Sequence, residues 1–569
     1  MTQTFDRAAH ARSMRAQGLW HDRTIDSFFA QSIAKSPDKT ALVAYRADRA
    51  QPRRFSYREW GDLVARAAAA LRGMGVGQGD VVAIQLPNWW EFAVIALAAS
   101  RIGAVVNPLM PIFREREMGF MIGFAQAKVL VVPRLFRGFD HAAMGRALRS
   151  HCPMLEHVIA VDEDGPDGFE QRLLGGTARI DAPTRSDASL LEPDDASLLE
   201  PDDASLLAPD DASLLAPDDL AVLMFTSGTT GSPKGVMHTS NTLVACNNSL
   251  AGRFGLNAQD VLLGCSPLGH MTGYAAILLL GVRLGGTVVL QDIWEVKQGV
   301  AIMGAERVTY TAASTPFLSD IVETVAAGAP RPAQLRSFLC GGAPIPPVLI
   351  ERAARELDLK VCSLWGMTES LSSTLTEPSR AADKSSTSDG RPLEGVQVKV
   401  TGDAGQPMST GQTGRLLVRG AQMFMGYYKR PDIETFDPQG WFDTGDLAYM
   451  DAEGYIRING RTKDVLIRGG ENVPVVEIEA LLYKHPAVAE AALVGYPDAR
   501  LGERGCACVV LRPGMQFDLA ALQAYMSECK VAKQYWPERV KVLAALPRTP
   551  SGKIQKFKLR EVAVDATGA

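Results

Sequence analysis

The sequence predicts an α/β protein with a largely parallel sheet, followed by a β-rich segment and a small unit of mixed helices and strands. Three observations carry this prediction. Apolar runs of strand length alternate with helical periodicities through the first part of the chain. Between residues 395 and 460 this gives way to short β-rich runs separated by Gly-containing turns. Beyond the charged, Gly-bearing connection at 460–473, helix and strand signals resume.

The elements follow in order. "SYREWGDLVARAAAALRGMGV" is a helix: Ser56 and Glu59 form a capping-box pattern, and Trp60, Leu63, Val64, Ala67 and Leu71 recur at helical spacing. Gly73 and Gly75 stop it. "DVVAIQLPN" then reads as a buried strand, "WWEFAVIALAASRIG" as a helix ending at Gly103, and "AVVNPL" as a strand. "LAVLMF" (220–225) is a strand that delivers the chain into "TSGTTGSPKG" (226–235). "YAAILLLGVRLGGTVVL" is broken by Arg283 and three Gly, so it reads as a buried helix running into a strand, not a membrane span. "VQVKV", "GRLLVRG" and "GYIRING" are the β-rich runs. "PVVEIEALLYKH" and "DLAALQAYMSECK" are helices of the last unit, with "AALVGY" and "GCACVVL" as its strands. The domain boundary is expected at 461–464, between a large domain, 1–460, and a small one, 465–569.

Composition bounds the function classes. The chain has 569 residues, 46% apolar and 22% charged, with a net charge of −5. That balance excludes a general affinity for nucleic acid or anionic membrane. Eight Cys lack metal-type spacing and read as reduced, mostly buried thiols of a cytoplasmic protein. The N-terminus is polar with several Arg and has no apolar core of a secretory signal, although its Arg content leaves a mitochondrial presequence open.

Residues 187–218 repeat an eight-residue unit four times, "DASLLEPD" twice and "DASLLAPD" twice. The period is far shorter than that of a solenoid, and one Leu pair per unit can scarcely bury a core. The tract reads as an exposed, mobile expansion of the loop entering the next strand, with a binding role as the alternative.

The stretch 226–235 is the first place where chemistry shows. Gly228 and Gly231 tolerate positive φ, successive backbone N–H groups of such a turn form an anion-binding nest, and the hydroxyls of Thr226, Ser227, Thr229 and Thr230 add neutral donors. Lys234 supplies a point charge. The spacing does not fit the Walker A pattern. On these grounds it is either a phosphate cradle or a plain Gly/Ser/Thr turn.

The wider set of motifs resembles the adenylate-forming enzymes: acyl- and aryl-CoA synthetases, nonribosomal adenylation domains and luciferases. "LMFTSGTTGSPKG" resembles their phosphate loop, "GGAPIP" (341–346) their adenine-side loop and "LWGMTES" (364–370) their aromatic-Gly-x-Thr-Glu motif. "GRLLVRG", "WFDTGDLAYMDAEGYIRINGR", "KDVLIRGGENVPVVEIE" and "PRTPSGKIQK" follow in the family's order. The similarity runs from about residue 25 to 562, outside the repeat. Within that family, "PNWWEFAVIALAASRIGAVVNPLMPIFREREM" looks most like bacterial cyclohexanecarboxylate–CoA and short- or medium-chain fatty-acid–CoA ligases.

The resemblance implies a large domain of stacked mixed and parallel sheets with flanking helices and a β-rich subdomain, plus a small mobile α+β domain. It implies ATP, Mg2+ and coenzyme A, with a small carboxylic acid as the remaining partner, no nucleic acid, and a homodimer left open. Thr226, Ser227, Gly228, Thr229, Thr230, Gly231 and Lys234 are expected around the phosphates. Gly341, Gly342, Ala343, Trp365, Gly366, Met367 and Thr368 are expected around the adenine side. Trp365 stands where Tyr is common, giving more stacking area but no phenol. Glu369, with Thr226, is implied as the Mg2+ site, against a solvated surface carboxylate. Asp446 and Arg461 match the ribose pair, against a mutual ion pair. Lys553 is implied as the cation that neutralises charge at the α-phosphate, Lys463 as the hinge, and Gly469, Gly470 and Glu471 as part of the thiol channel. Lys556 and Lys558 read as solvated.

"CSPLGHMTGYAA" (265–276) matches the loop before the helix that shapes the acyl pocket, with His270 as a gate, Gly273 leaving room and Tyr274 as a wall. No Arg or Lys appears in it to hold a second carboxylate, so an apolar monocarboxylic acid follows. Cys265 and Cys340 are expected only to line walls. The reaction implied is acid activation to a CoA thioester through an acyl-adenylate. Alternatives are an aryl acid substrate, transfer to a carrier protein, or a nucleotide-binding regulator without turnover.

Overall fold

The computed structural model describes residues 5–175, 215–226, 233–342, 345–433, 435–461, 466–468, 471–473, 475–498, 500–529, 531, 533–548 and 554–564. The predicted first helix forms over Tyr57–Gly73. Ser56 accepts from the Glu59 N–H, and the Glu59 carboxylate accepts from the Ser56 N–H at 2.8 Å. Trp60, Leu63, Val64, Ala67 and Leu71 all turn inward, as the spacing requires.

Two sheets dominate. In the seven-stranded sheet, Val81–Ile84 lies parallel to both Val105–Pro108 and Ala127–Pro133, with the helices Trp90–Arg101 and Glu115–Ala125 as crossovers. Leu220–Thr226 joins parallel to Val105–Pro108, then turns back as the antiparallel strand Lys234–Thr239. The nine-stranded sheet has a parallel centre: Lys360–Met367, Ser337–Gly341, Tyr310–Ala313, Val261–Gly264, Thr287–Gln291 and Thr40–Tyr45, in that spatial order.

Strand alternation sends successive side chains to opposite faces, and here both faces of both sheets are buried. Leu42, Leu262 and Leu290 face an inner core shared with Val82, Ile84 and Val106 of the other sheet. Their neighbours Val43, Leu263 and Val289 face an outer core under the helices Val296–Ala305, Thr315–Ala326 and Pro347–Leu357. The inner core also takes the apolar faces of Tyr57–Gly73, Trp90–Arg101 and Ser240–Phe254. The result is a layered α/β/α/β/α arrangement with the most buried helices in the middle.

The expected buried helix before Thr287–Gln291 is present, in three continuous pieces. Met271–Gly273 leads into a π-helical stretch, Tyr274–Leu279, and then Leu280–Leu284. The wider turn changes the backbone pairing, and the Asn247 amide donates to the Ala275 carbonyl at 2.8 Å.

The β-rich segment forms a four-stranded antiparallel sheet, Val396–Thr401, Gly414–Gly420, Phe442–Met450 and Ile456–Arg461. The last unit has its own sheet, in which Gly502–Leu511 pairs antiparallel with Val488–Asp498 and parallel with Arg539–Val542. Its buried clusters draw only on residues from Leu466 onward. All eight Cys are free, seven of them buried and Cys529 partly so. Among the described residues no helix is long and apolar enough to cross a membrane.

The helix Trp90–Arg101 is tied to Ile25–Lys35 by a buried ion pair, Arg101 Nε to Asp26 Oδ1 at 3.1 Å. Replacing one member of such a pair leaves an uncompensated buried charge. Asp26→Leu is therefore expected to cost about 3–5 kcal/mol, read as a fall in the denaturation midpoint, and the double change Asp26→Leu/Arg101→Leu to recover most of it.

Candidate active site

In a parallel sheet, ligands collect outside the carboxyl ends of the strands. Here Gly264, Ala313, Gly341 and Met367 end four adjacent strands of the nine-stranded sheet. The loop Cys265–His270, the turn at Gly341–Gly342 and the motif around Trp365 therefore share one rim.

Two glycines shape that rim. A Cβ on Gly341 would lie 2.8 Å from the Leu364 carbonyl oxygen, and one on Gly366 would lie 2.0 Å from that of Leu371. The second contact leaves no room for a side chain. It lets the chain bulge between Trp365 and Gly366 and reverse at once, with Leu371 at φ 53°, into the antiparallel strand Leu371–Leu375. Thr368 and Glu369 sit in that reversal.

Glu369 is held from several sides. Its carbonyl accepts from the Phe424 N–H at 2.9 Å, and its carboxylate accepts from the Tyr427 hydroxyl at 2.9 Å. It is only 6% exposed. Burial, and then the Glu369 charge, push the Tyr427 phenol well above its usual range, so it stays a donor. Tyr427 pairs with Val236 in the strand that follows the 226–235 stretch, and Lys234 Nζ sits 4.7 Å above the Tyr427 ring. Lys234 in turn stands opposite Thr226, whose hydroxyl is 3.5 Å from the Lys234 carbonyl. The two ends of the loop are thus a closed hairpin, connected through Tyr427 to Glu369.

The site contains a partner that the motifs did not reveal. His238, fully buried on the strand Lys234–Thr239, has Nε2 2.7 Å from the Thr368 carbonyl. A carbonyl only accepts, so Nε2 carries the proton and Nδ1 accepts from the Thr242 hydroxyl at 3.1 Å. Burial pushes the His238 pKa down to about 4, which keeps the ring neutral. The signal in sequence was a lone polar residue on the inward face of an apolar strand, which by itself suggests only a satisfied core histidine.

Trp365 is buried, and its indole Nε1 donates to Asp446 Oδ2 at 2.8 Å. The departure from Tyr thus adds a donor to the carboxylate expected at the ribose. Asp446 faces Arg461 across the antiparallel pair Phe442–Met450 and Ile456–Arg461, and its N–H donates to Thr444 Oγ1 at 3.0 Å. The Arg461 side chain lies outside the described residues.

His270 caps the helix beginning at Met271, its Nδ1 accepting from the Thr272 N–H at 3.2 Å, and is part-exposed. Gly273 corrects one expectation. A Cβ there would lie 2.4 Å from the Pro267 carbonyl oxygen and 2.6 Å from that of Ser266, so its missing side chain serves close packing of the loop and opens no space. Tyr274 is fully buried, 6.2 Å edge-on to Phe92, and packs behind the rim. Burial raises the Cys265 and Cys340 thiols to about 11 and about 12, so both are protonated wall residues at neutral pH.

Ser227, Gly228, Thr229, Thr230, Gly231, Ala343, Lys463, Gly469, Gly470 and Lys553 lie outside the described residues, as does the Glu471 side chain. The connection containing Lys553 is closed by a bridge between Arg548 and Ile554. Lys556 pairs with Glu479 at 2.7 Å, which corrects its reading as merely solvated.

The residues present fit a bound magnesium ion. Thr226 and Glu369 offer hard oxygen donors, and Mg2+ needs only one or two carboxylates when substrate phosphates and waters complete its shell. Among the described residues the nearly buried Glu369 carboxylate meets a phenol and no cation.

Residues 29–428 match the AMP-binding enzyme family and residues 477–553 match the AMP-binding enzyme C-terminal domain. The chain is 35% identical over 568 residues to the medium-chain fatty-acid–CoA ligase of Escherichia coli, covering 99% of this chain and 94% of that one. It is 33% identical over 568 residues to the salicyl-AMP ligase / salicyl-S-ArCP synthetase of Mycobacterium tuberculosis, with the same coverage. ATP-bound MatB of Rhodopseudomonas palustris aligns with a TM-score of 0.80 at 26% identity, over 96% of this chain and 100% of that one. A layered α/β domain with a phosphate-loop hairpin and a small C-terminal unit is the architecture of adenylate-forming enzymes. The chain belongs to the AMP-binding enzyme family and is an AMP-forming acid–thiol ligase that uses ATP, Mg2+ and coenzyme A.

Removing the His238 donor loosens the turn that carries Glu369. His238→Leu is expected to lower kcat/KM for MgATP by about 10–100-fold, the usual range for residues that orient a metal ligand, and to raise the Mg2+ concentration needed for half-maximal rate. His238→Gln, which keeps a donor, should recover part of both. Initial rates across a Mg2+ titration check it.

Proposed function

We propose that the enzyme converts an apolar monocarboxylic acid, a medium-chain fatty acid or an alicyclic acid such as cyclohexanecarboxylate, to its CoA thioester. The observation that carries the substrate reading is the loop and helix start at 265–276, which contain no Arg or Lys to receive a second carboxylate. The 35% identity to a medium-chain fatty-acid–CoA ligase supports it.

The chemistry has two halves. In the first, the acid's carboxylate oxygen attacks the α-phosphorus of ATP, the bond to the bridging oxygen breaks, and pyrophosphate leaves with the electron pair. In the second, the CoA thiol, losing its proton, attacks the acyl carbon and AMP leaves. Thr226 and Glu369 would hold Mg2+, which would supply neutralisation of the phosphate charge. The backbone N–H groups and hydroxyls of Thr226, Ser227, Gly228, Thr229, Thr230 and Gly231, with Lys234, hold the departing phosphates. Trp365, with Gly341, Gly342, Ala343, Gly366, Met367 and Thr368, holds the adenine side, and Asp446 and Arg461 hold the ribose. Lys553 bridges carboxylate and α-phosphate, stabilising charge where it develops.

Two domains, 1–460 and 465–569, then exchange faces about Lys463, bringing Gly469, Gly470 and Glu471 to the thiol path. The separation of the buried clusters on either side of this connection supports two bodies. His270 gates the acyl pocket, and Tyr274 supports it from behind. The eight free thiols favour a reducing, cytoplasmic setting. A homodimer remains compatible with the reading and is not required by it.

Lys553→Ala should lose acid-dependent pyrophosphate release yet keep thioester formation from supplied acyl-adenylate; equal loss in both halves would remove Lys553 from its role. A panel of cyclohexanecarboxylate, benzoate and linear acids tests the substrate. The alicyclic and medium-chain acids should lead, and a gap of about 1.4 kcal/mol appears as tenfold in kcat/KM. The 33% identity to a salicyl-S-ArCP synthetase favours a second reading, with an aryl acid or a carrier-protein acceptor. A preference for benzoate, or accumulation of acyl-AMP in the presence of CoA, would select it.

A further inference from the structure

The octapeptide tract is the part of the sequence that ligase chemistry leaves unused. Its fourth unit, 211–218, ends within the described chain, and its last residues are docked. Leu215 is 4% exposed and borders a small cavity with Thr24, Ile25, Ser100, Leu243, Tyr274 and Leu279. The Pro217 carbonyl accepts the Asn241 N–H at 3.1 Å. The Asp218 carboxylate accepts from the Arg15 guanidinium and, at 2.8 Å, from the buried Asn241 amide. The Asp219 carboxylate accepts from the Ala216 N–H at 2.9 Å and from Gln78 Nε2 at 3.0 Å. Ala216 itself is exposed. The surface therefore reads Leu-x-Pro-Asp-Asp, with x facing solvent.

That pentapeptide occurs four times, at Leu191–Asp195, Leu199–Asp203, Leu207–Asp211 and Leu215–Asp219. The first two copies differ from the docked one only by Glu192 and Glu200 at the solvent-facing position. The third is identical. A shift of register by one unit moves eight residues from the amino-terminal to the carboxyl-terminal side of the dock. The entropy of loop closure grows only with the logarithm of loop length, so the tether does not forbid the exchange.

We infer that the pocket of Arg15, Asn241, Leu243 and Tyr274 is a docking site for the Leu-x-Pro-Asp-Asp sequence, and that Leu207–Asp211 is an alternative occupant in competition with Leu215–Asp219. The site lies where support matters. Its occupant leads directly into Leu220–Thr226, the strand that carries Thr226, and its wall includes Tyr274 and Leu279 of the helix behind His270. Tandem units make that support redundant: when one unit is lost or altered, the next has the same side chains to offer.

The test uses Leu215→Asp in the full chain and in a chain lacking 187–210, which removes the first three units and leaves the fourth. Deletion alone should leave the Tm unchanged. Leu215→Asp should lower the Tm modestly in the full chain, where an upstream unit takes over, and far more in the shortened one. A synthetic nonapeptide, Asp-Ala-Ser-Leu-Leu-Ala-Pro-Asp-Asp, should then raise the Tm of the shortened variant with increasing concentration, as binding to the native state must. The same peptide with its second Leu replaced by Asp should not. If the shortened variant fails to fold while the full-length variant folds, the inference is supported. Equal losses in the two backgrounds, including none in either or failure of both to fold, or no difference between the two peptides, would overturn it.

Discussion

The approach of Gly366 to the Leu371 carbonyl oxygen governs the geometry of the whole site. Any Cβ at Gly366 would lie 2.0 Å from that oxygen, well inside contact distance. With a hydrogen there, the strand Lys360–Met367 can end, bulge and reverse within a few residues. Glu369 then stands over the carboxyl edge of the sheet and does not continue into a helix, as a parallel strand ordinarily would. The reversal also places Leu371 at positive φ, a cost of order 1–3 kcal/mol for a non-Gly residue. Surrounding contacts must over-determine such a turn: Thr368 and Glu369 each have their carbonyl taken, by His238 and by Phe424.

Those restraints come from one neighbouring sheet edge. The hairpin that begins at Thr226 returns through Lys234 and reaches His238 four residues later on the same strand, while the next strand over carries Tyr427. The loop expected to grip the leaving phosphates and the carboxylate expected to hold their metal are therefore set by one small sheet region. Positioning catalytic groups on strands gives more precision than positioning them on loops. Here even the loop has its two ends paired.

Much of this was legible in the sequence, and the limits have physical causes. Helix Tyr57–Gly73 and its capping box are local, so spacing alone gave both. Strand order is not local: that Leu42 and Val82 meet in one core depends on how two sheets stack, which periodicity does not encode. The motif residues Glu369, Trp365 and Asp446 were recognisable by type, but their partners were not. Tyr427 sits in "GYY" with nothing to mark it, and its hydroxyl reaches Glu369 only because Gly426–Tyr427 adds to the edge of the other sheet. Gly273 shows the opposite error. A small residue near a pocket suggests space, whereas here two carbonyl oxygens already occupy the place of its Cβ.

The charge balance of the rim bears on the proposed role of a second, movable domain. Two side-chain donors to its acidic groups are neutral: the Tyr427 phenol donates to Glu369 and the Trp365 indole to Asp446. His238 is neutral as well. Neutral donors orient carboxylates without neutralising their charge, which suits the metal and ribose roles proposed for Glu369 and Asp446. Two anions near contact repel strongly in a low-dielectric cleft. On the proposed assignment Lys234 faces the departing phosphates, so the approach of a carboxylate to the α-phosphate calls for a further cation. On the proposed assignment Lys553 delivers it, from a unit whose buried core is its own. A cation built permanently into the rim would serve adenylation and then hold AMP after the thiol arrives. On the proposed assignment, carrying it on a separate body would let the charge leave when its work is done.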